Sequence, residues 1–442
     1  MFETLKNAFK TKEIRVKIWL TLALILVYRI GCYIPIPTFN VESMKAASAF
    51  GDDFLGILNT ITGGSMQNAT IFALGVLPFI NSSIIMQLLA LVIPALERLS
   101  KEGDEGREKL TQITRIVAIV LAVVQAIGIV VGFKSFIRPT FGFEMNAEGD
   151  PILTMAITIV LLTAGSVMVM WLSERITEYG IGNGTSIIIF IGILSTAGTT
   201  LAHKAFPMIG QKWEYIWNLL GFIALVVAIF VFIVFMDGSE RRIAVQYSKQ
   251  IKGNKMYGGQ TTYIPIRVNG SGVMPIIFAS SLLMFPQMII QLFFANTDAA
   301  AWYAHYMGSG TAVYYVLLAL FILGFSYFYA QIQFNPDDVS RNIQQYGGFI
   351  PGIRAGKPTS DFLRKINNRI TLFGALFLMI ISLVPTFLFL ALSGQYSDPQ
   401  YDLGFANSFS ATGLLIVVSV ALEINKQLES QIMMKHYKGF LK

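Results

Sequence analysis

Residues 53–83, DFLGILNTITGGSMQNATIFALGVLPFINSS, decide how the chain is read. Apolar residues crowd this stretch, yet it cannot form one membrane helix. Gly63 and Gly64 interrupt it, the amides Asn59, Gln67 and Asn68 dot it, and Gly75 and Pro78 break it again. Backbone that leaves the helix at membrane depth is tolerated only where it is buried in protein or lines a cavity. A broken segment set directly before a span therefore points to a membrane protein with something other than lipid at its centre.

The rest of the chain agrees. Of its 442 residues, 54% are hydrophobic and 13% charged, against roughly 45–50% and about 25% in soluble domains. Mean hydropathy is +0.60. Runs long enough to cross a layer of about 30 Å fall at 18–36, 70–96, 113–133, 152–172 and 185–202, then at 216–236, 274–294, 313–332, 370–392 and 409–421. The expected fold is an all-α polytopic membrane protein of ten transmembrane helices. Residues 1–17 are basic, with Phe2, Leu5 and Phe9 at helical spacing, and are expected to lie on the membrane surface before a retained first span.

Lysine and arginine set the orientation. With the N-terminus inside, they gather in 1–17, between the second and third spans, in the loops 237–272 and 334–369, and in the tail 426–442. Only Lys45, Lys134, Arg138, Lys204 and Lys212 fall outside. Both termini are then cytoplasmic. Five spans per half (18–205 and 206–425) make the second half enter the membrane inverted, as in inverted-topology repeats. A trace of repetition survives: GVLPFINSSIIM from Gly75 in the second span, and GVMPIIFASSLLM from Gly272 in the seventh, with one residue inserted.

The chemistry that is missing narrows the function. No acidic residue or lysine sits deep in a span, where proton- and ion-driven pumps usually carry one. Arg29 is the intramembrane charge, expected to snorkel or to cap nearby carbonyls. The single cysteine, Cys32, excludes an internal disulfide and reads as packing; His203, His305 and His436 are scattered and have no metal-ligand spacing. GIGNG at 180–184 is a turn into a helix N-terminus, since no strand precedes it. No cofactor is expected, and neither enzyme chemistry nor a means of using ATP is visible.

Three constellations remain. In 237–272, RIAVQYS and TTYIPIRV are β-prone and KGN supplies a turn, which predicts a cytoplasmic β-ribbon. Its basic residues Arg241, Arg242, Lys249, Lys252 and Lys255 suit RNA phosphates or an acidic protein surface. The loop 334–369 holds GFIPGIRAG, a turn-rich hook presenting Arg354, with Lys357 behind it. Asn81, Ser82, Ser83 and Gln87 on the second span, Gln125 on the third, and Ser280 and Ser281 on the seventh are either ordinary glue between helices or a seam designed to part.

The stretches VYRIGCYIPIP, TGGSMQNATIFALGVLPFI, KEGDEGREKLTQITR, ITEYGIGNGTSIIIF, VNGSGVMPIIFASS, FNPDDV and GFIPGIRAGKPT, with the tail from TGLLIVVSVALE to HYKGF, resemble the bacterial SecY family of Sec translocase channel subunits, across essentially the whole chain. The resemblance implies two five-span halves clasping an hourglass pore in the bacterial cytoplasmic membrane. It implies a re-entrant plug helix at 54–68, carrying Phe54, Leu55, Ile57, Leu58, Ile61, Gly63, Gly64 and Met66. It implies a pore ring of Val76, Ile80, Ile189, Ile277 and Ile416, and a lateral gate between the second and seventh spans whose polar cluster matches the seven polar residues just named. The implied partners are SecE, SecG, the motor ATPase SecA, ribosomes with their rRNA, signal peptides, nascent chains and lipid. Counting along the spans sets Ile189 and Ile277 near cytoplasmic helix starts and Val76 near an outer one; they share one height only if these helices begin deep in the membrane. A secondary transporter of small or lipid-linked solutes is the alternative from another class, since inverted halves and broken helices fit it as well.

Overall fold

In lipid a backbone can satisfy its polar groups only within a helix or a closed barrel, and all ten expected runs fall on helices. The computed structural model describes residues 8–48, 59, 61–133, 136–137, 152–200, 202, 215–247, 250–252, 255–257, 261–270, 272–294, 297–308, 311–393 and 411–439. The helices of the first half are α1 (Lys12–Gly31), α2 (Val41–Ser48), α3 (Leu77–Val92), α4 (Pro94–Lys101), α5 (Asp104–Gly132), α6 (Ile152–Tyr179) and α7 (Gly184–Thr200). Next come α8 (Tyr215–Asp237), strands β1 (Glu240–Tyr247), β2 (Gln250–Lys252), β3 (Lys255–Tyr257) and β4 (Thr261–Arg267), and α9 (Met274–Phe293). The chain continues through α10 (Asp298–Met307), α11 (Ala312–Gln333), α12 (Pro336–Gln345), β5 (Gly348–Phe349), α13 (Lys357–Ser393) and α14 (Ala411–Gly439).

By length and composition alone, four helical stretches among the described residues suffice to cross a membrane: Asp104–Gly132, Ile152–Tyr179, Ala312–Gln345 and Lys357–Val384. Leu77–Ala90 and Pro94–Ser100, bent by 106°, make a fifth if taken as one broken span. The second run is thus not the single rod from 70 to 96 that its composition suggested. Thr70 is bridged to Pro35, residues 71–76 are turns, and Pro94 forces Ile93 into an extended conformation (φ −98°, ψ 110°) that ends α3. Other helices outrun their apolar cores. α5 starts at Asp104, where Asp104 and Glu105 favour the positive end of the helix dipole. α13 has 37 residues, so it is about 55 Å long and projects well beyond the bilayer.

The internal echo is conformational as well as sequential. Gly75 and Gly272 both take the left-handed conformation, φ +56° and +62°. Val76 and Val273 follow as N-caps with nearly equal dihedrals (φ −94°, ψ −1° and φ −88°, ψ −8°), each with proline in the first turn behind it. The carbonyl of Val76 accepts from the amides of Phe79 and Ile80, and that of Val273 from Ile276 and Ile277. No insertion is needed here: Ile80 and Ile277 occupy equivalent positions in the two halves.

On the side that the charge bias makes cytoplasmic, the two long loops form one body. β1 pairs antiparallel with β4, Ile243 opposite Ile264, and β5 joins the other edge of β1, Gln246 opposite Phe349. Ile243, Val245 and Ile266 from the first loop pack with Ile343, Ile350 and Leu363 from the second into a core separate from the large one. The ribbon was legible in the sequence; its fusion with α12, β5 and the start of α13 was not. The ribbon tip is the hairpin β2–β3, with Lys252 opposite Lys255.

Candidate functional site

The large core gathers side chains from both halves around the starts of α3, α7 and α9. Val76, Ile80, Ile189, Ile277 and Ile416 all belong to it, each between 3% and 8% exposed. Ile80, Ile189 and Ile277 line one cavity of about 470 Å³, together with Ser83, Gln87, Arg115, Glu174 and Asn183. α3 and α9 both begin at buried N-caps, Val76 and Val273. Ile80, Ile189 and Ile277 are β-branched and stiff at χ1. Among the polar residues that also line the cavity, Arg115 Nε meets Glu174 Oε1 at 2.7 Å between α5 and α6.

Of the plug residues, Phe54, Leu55, Ile57 and Leu58 lie outside the described residues. From Thr62 to Val76 the chain runs in turns, apart from Thr70, which is bridged to Pro35, so the helix expected over 54–68 does not extend through this part. Gly63 and Gly64 take φ +69° and +87°, which side chains with a Cβ rarely adopt. A methyl on Gly63 would lie 2.9 Å from the Cα of Gly192 on α7. Met66 is buried and Ile61 half-buried. The turns are held by α1, where Tyr28 Oη donates to the Thr62 carbonyl at 3.3 Å and Arg29 Nη1 to that of Gly63 at 3.3 Å. Arg29 Nη2 also donates to Ser195 Oγ on α7 at 2.5 Å. Arg29 thus caps a carbonyl, as expected, and Cys32 is a buried packing residue, 1% exposed. Gly165 on α6 lets the segment lie close: a methyl there would sit 1.9 Å from the Ile71 carbonyl oxygen.

The seven polar seam residues do not form one network. Ser82 Oγ donates to the Thr114 carbonyl on α5 at 2.6 Å. Gln87 Nε2 donates to Ser83 Oγ at 3.2 Å, and Gln87 Oε1 accepts from Tyr329 Oη on α11 at 2.7 Å. Ser280 turns back to its own helix, donating to the Ile277 carbonyl at 3.0 Å. Gln125 and Ser281 are buried and Asn81 is half-buried. Thr114 and Tyr329 were not foreseen; both lie on predicted spans, but nothing in their local sequence names a partner.

Among the basic residues, Arg241, Arg242, Arg354 and Lys357 are exposed, and Arg242 pairs with Glu240 at 2.7 Å. Lys252 and Lys255 sit on the tip strands; Lys249 lies outside the described residues. The hook around Arg354 is braced: Thr359 Oγ1 donates to the Arg354 carbonyl at 2.8 Å, and Ser340 Oγ to that of Gly356 at 2.8 Å. Beneath it, hydrogen bonding from Ser360 and the nearby guanidinium of Arg364 hold the Asp337 carboxyl below the usual carboxylate range.

The SecY family profile matches residues 70–425. The protein translocase subunit SecY of Streptomyces galbus is 40% identical, and that of Bacillus subtilis strain 168 is 39% identical, each over 100% of both chains. The solved structure of a protein-conducting channel superposes with a TM-score of 0.64 at 19% identity, covering 94% of this chain and 91% of that one. Sec61 in the canine ribosome–channel complex gives 0.59 at 19%, with the same coverage. The fold is therefore that of these channels, and the chain belongs to the SecY family.

Proposed function

We infer that this chain is a protein-conducting channel, passing unfolded secretory polypeptides across the bacterial cytoplasmic membrane and releasing hydrophobic segments sideways into lipid. The observation that carries the reading is the cavity lined by buried, stiff isoleucines drawn from both halves, beside a non-helical segment whose residues join the same core. Val76, Ile80, Ile189, Ile277 and Ile416 act as a gasket around a passing chain. Residues 54–68 act as the plug, and α3 against α9 as the lateral gate. No chemistry is required of such a gate. A leucine or isoleucine gains roughly 0.3–0.6 kcal/mol on entering the bilayer, while a central Asp, Lys or Arg loses about 2.5–3.5, so partitioning sorts the substrate. The family likeness supports this over the small-solute transporter.

Energy comes from a partner. The fused cytoplasmic body, with Arg241, Arg242, Lys249, Lys252, Lys255, Arg354 and Lys357, is the docking surface for SecA and for rRNA of a translating ribosome. SecE and SecG complete the assembly in the membrane, with both termini of this chain inside. The test replaces Cys32 by serine, sets single cysteines at Ile80 and Ile277, and stalls a secretory precursor in the membrane. Crosslinks are expected at both positions and not at a lipid-facing control such as Val227; a stalled precursor that touches neither overturns the assignment.

A further inference from the structure

We propose that α10 is an interfacial helix, docked on the lipid headgroup layer through Trp302, His305 and Tyr306 at the face of the membrane away from the cytoplasmic body. α10 is the ten-residue helix DAAAWYAHYM. Its side chains divide by helical spacing. Tyr303 is buried and Met307, one turn on, is half-buried, so this stripe packs against the protein, where α10 meets both α9 and α11. Trp302, His305 and Tyr306, at the spacing i, i+3, i+4, are exposed beside it. Trp302 is 58% and Tyr306 51% exposed. Their rings lie 5.5 Å apart, and His305 meets Tyr306 edge-on at 4.8 Å, so the three make one continuous aromatic surface.

The short links at its ends point to lipid as the occupant. Residues 294–297 join α9 to α10, and residues 308–311 join α10 to α11. A link of this length reaches at most about 14 Å, and the headgroup layer on each side of the hydrocarbon is roughly 5–8 Å deep. A helix tied so closely to two spans stays at the membrane surface. Its exposed face continues apolar surface of those spans: Phe294 at the end of α9 is 48% exposed and Val313 at the start of α11 46%. Tryptophan and tyrosine favour this layer, because the ring is buried while the indole N–H or phenol O–H stays wet. Between Asp298 and Met307 there is neither lysine nor arginine, so the affinity is for the layer itself and not for an anionic headgroup. Docking fixes the Phe293 end of α9. With α9 as the gate helix inferred above, the pivot lies at this end and the free movement at the other, where Ile277 sits; this consequence rests on the channel reading, whereas the docking does not.

The test reads depth directly. In the full chain with Cys32→Ser, assembled with cysteine-free partner subunits, Ala301→Cys is labelled with a nitroxide; this exposed position on α10 leaves the aromatic face untouched. Val227→Cys on α8 and Gln345→Cys at the end of α12, both exposed, are labelled as the references for lipid and for water. The complexes are placed in vesicles of phosphatidylethanolamine and phosphatidylglycerol. Collision of each label with dissolved oxygen is compared with its collision with a water-soluble nickel chelate. The oxygen-to-nickel ratio at 301 is expected to fall between the two references, and to drop to the Gln345 reference when Trp302→Ala and Tyr306→Ala are combined. A ratio at 301 equal to the Gln345 reference, with both aromatic residues in place, overturns the docking. So does a label shielded from both reagents, the outcome for a protein partner seated on this face. A ratio that the double replacement leaves unchanged overturns it too, because the depth would then not depend on the aromatic face. If the double variant fails to assemble, the reading at 301 with both aromatic residues present decides alone. Each of these outcomes leaves the channel reading intact, since that reading stands on the crosslinks at Ile80 and Ile277.

Discussion

Arg29 is a charge inside a membrane span, and its surroundings explain why it is tolerated. It reaches the Gly63 carbonyl and Ser195 Oγ, and its guanidinium carbon lies 5.4 Å from the ring centre of Tyr33. It thereby joins α1, the central turns and α7. Replacing it by methionine leaves the Gly63 carbonyl without this donor. A hydrogen bond to a charged group is worth about 1.5–3 kcal/mol, so the central segment should leave its seat about ten times more often or beyond. Ion efflux from loaded liposomes should rise in the Arg29→Met protein; efflux equal to that of the unaltered chain would refute the tether. The role of Arg29 was readable in advance, because a lone charge among apolar residues must find acceptors. The bond between Tyr329 and Gln87 was not, since Tyr329 sits in the aromatic run SYFYA and its partner is 242 positions away.

At the scale of elements, the fused body changes what the two loops can do. Leu363 on α13 is fully buried against strands from the other loop. Leu363→Ala should lower the stability of this body by about 2–5 kcal/mol. Limited proteolysis should then cut within 240–267 and 336–356 together, although the substitution lies in neither. Cleavage confined to 336–356 would show that the loops are independent. The strands were legible as β-prone runs bounded by turn residues. The third strand, β5, is only two residues long and carries no periodicity at all. Its existence depends on the open edge of β1 offering it partners. The Gly75 and Gly272 echo is the opposite case: left-handed glycine, capping valine and first-turn proline act locally, so like sequence produced like structure.

At the scale of the whole molecule, side chains from the two halves share one apolar core, and among the described residues the stretch 62–76 beside it is mostly turns. Deleting residues 54–68 removes Gly63 and Gly64 and every contact they make with α1 and α7. The scaffold around the deletion keeps its own helix packing, so the protein should still assemble in the membrane with its partners. Its single-channel conductance in a planar bilayer should rise well above that of the intact chain. An assembled deletion variant with unchanged conductance would remove the plug assignment, while leaving the ring of isoleucines standing as the seal.

The amino-acid sequence by itself determined where the helices run, and it set the direction in which each is expected to cross. These depend on the apolarity of single runs, on proline and glycine at their ends, and on where lysine and arginine fall; each is decided within some twenty residues by the cost of an unpaired backbone in lipid. Only the tertiary structure decided which polar side chains meet, how two loops become one body, and that Ile80, Ile189 and Ile277 face the same space. Those outcomes depend on contacts between residues far apart in the chain, and side-chain identity alone carries no record of who the neighbour will be.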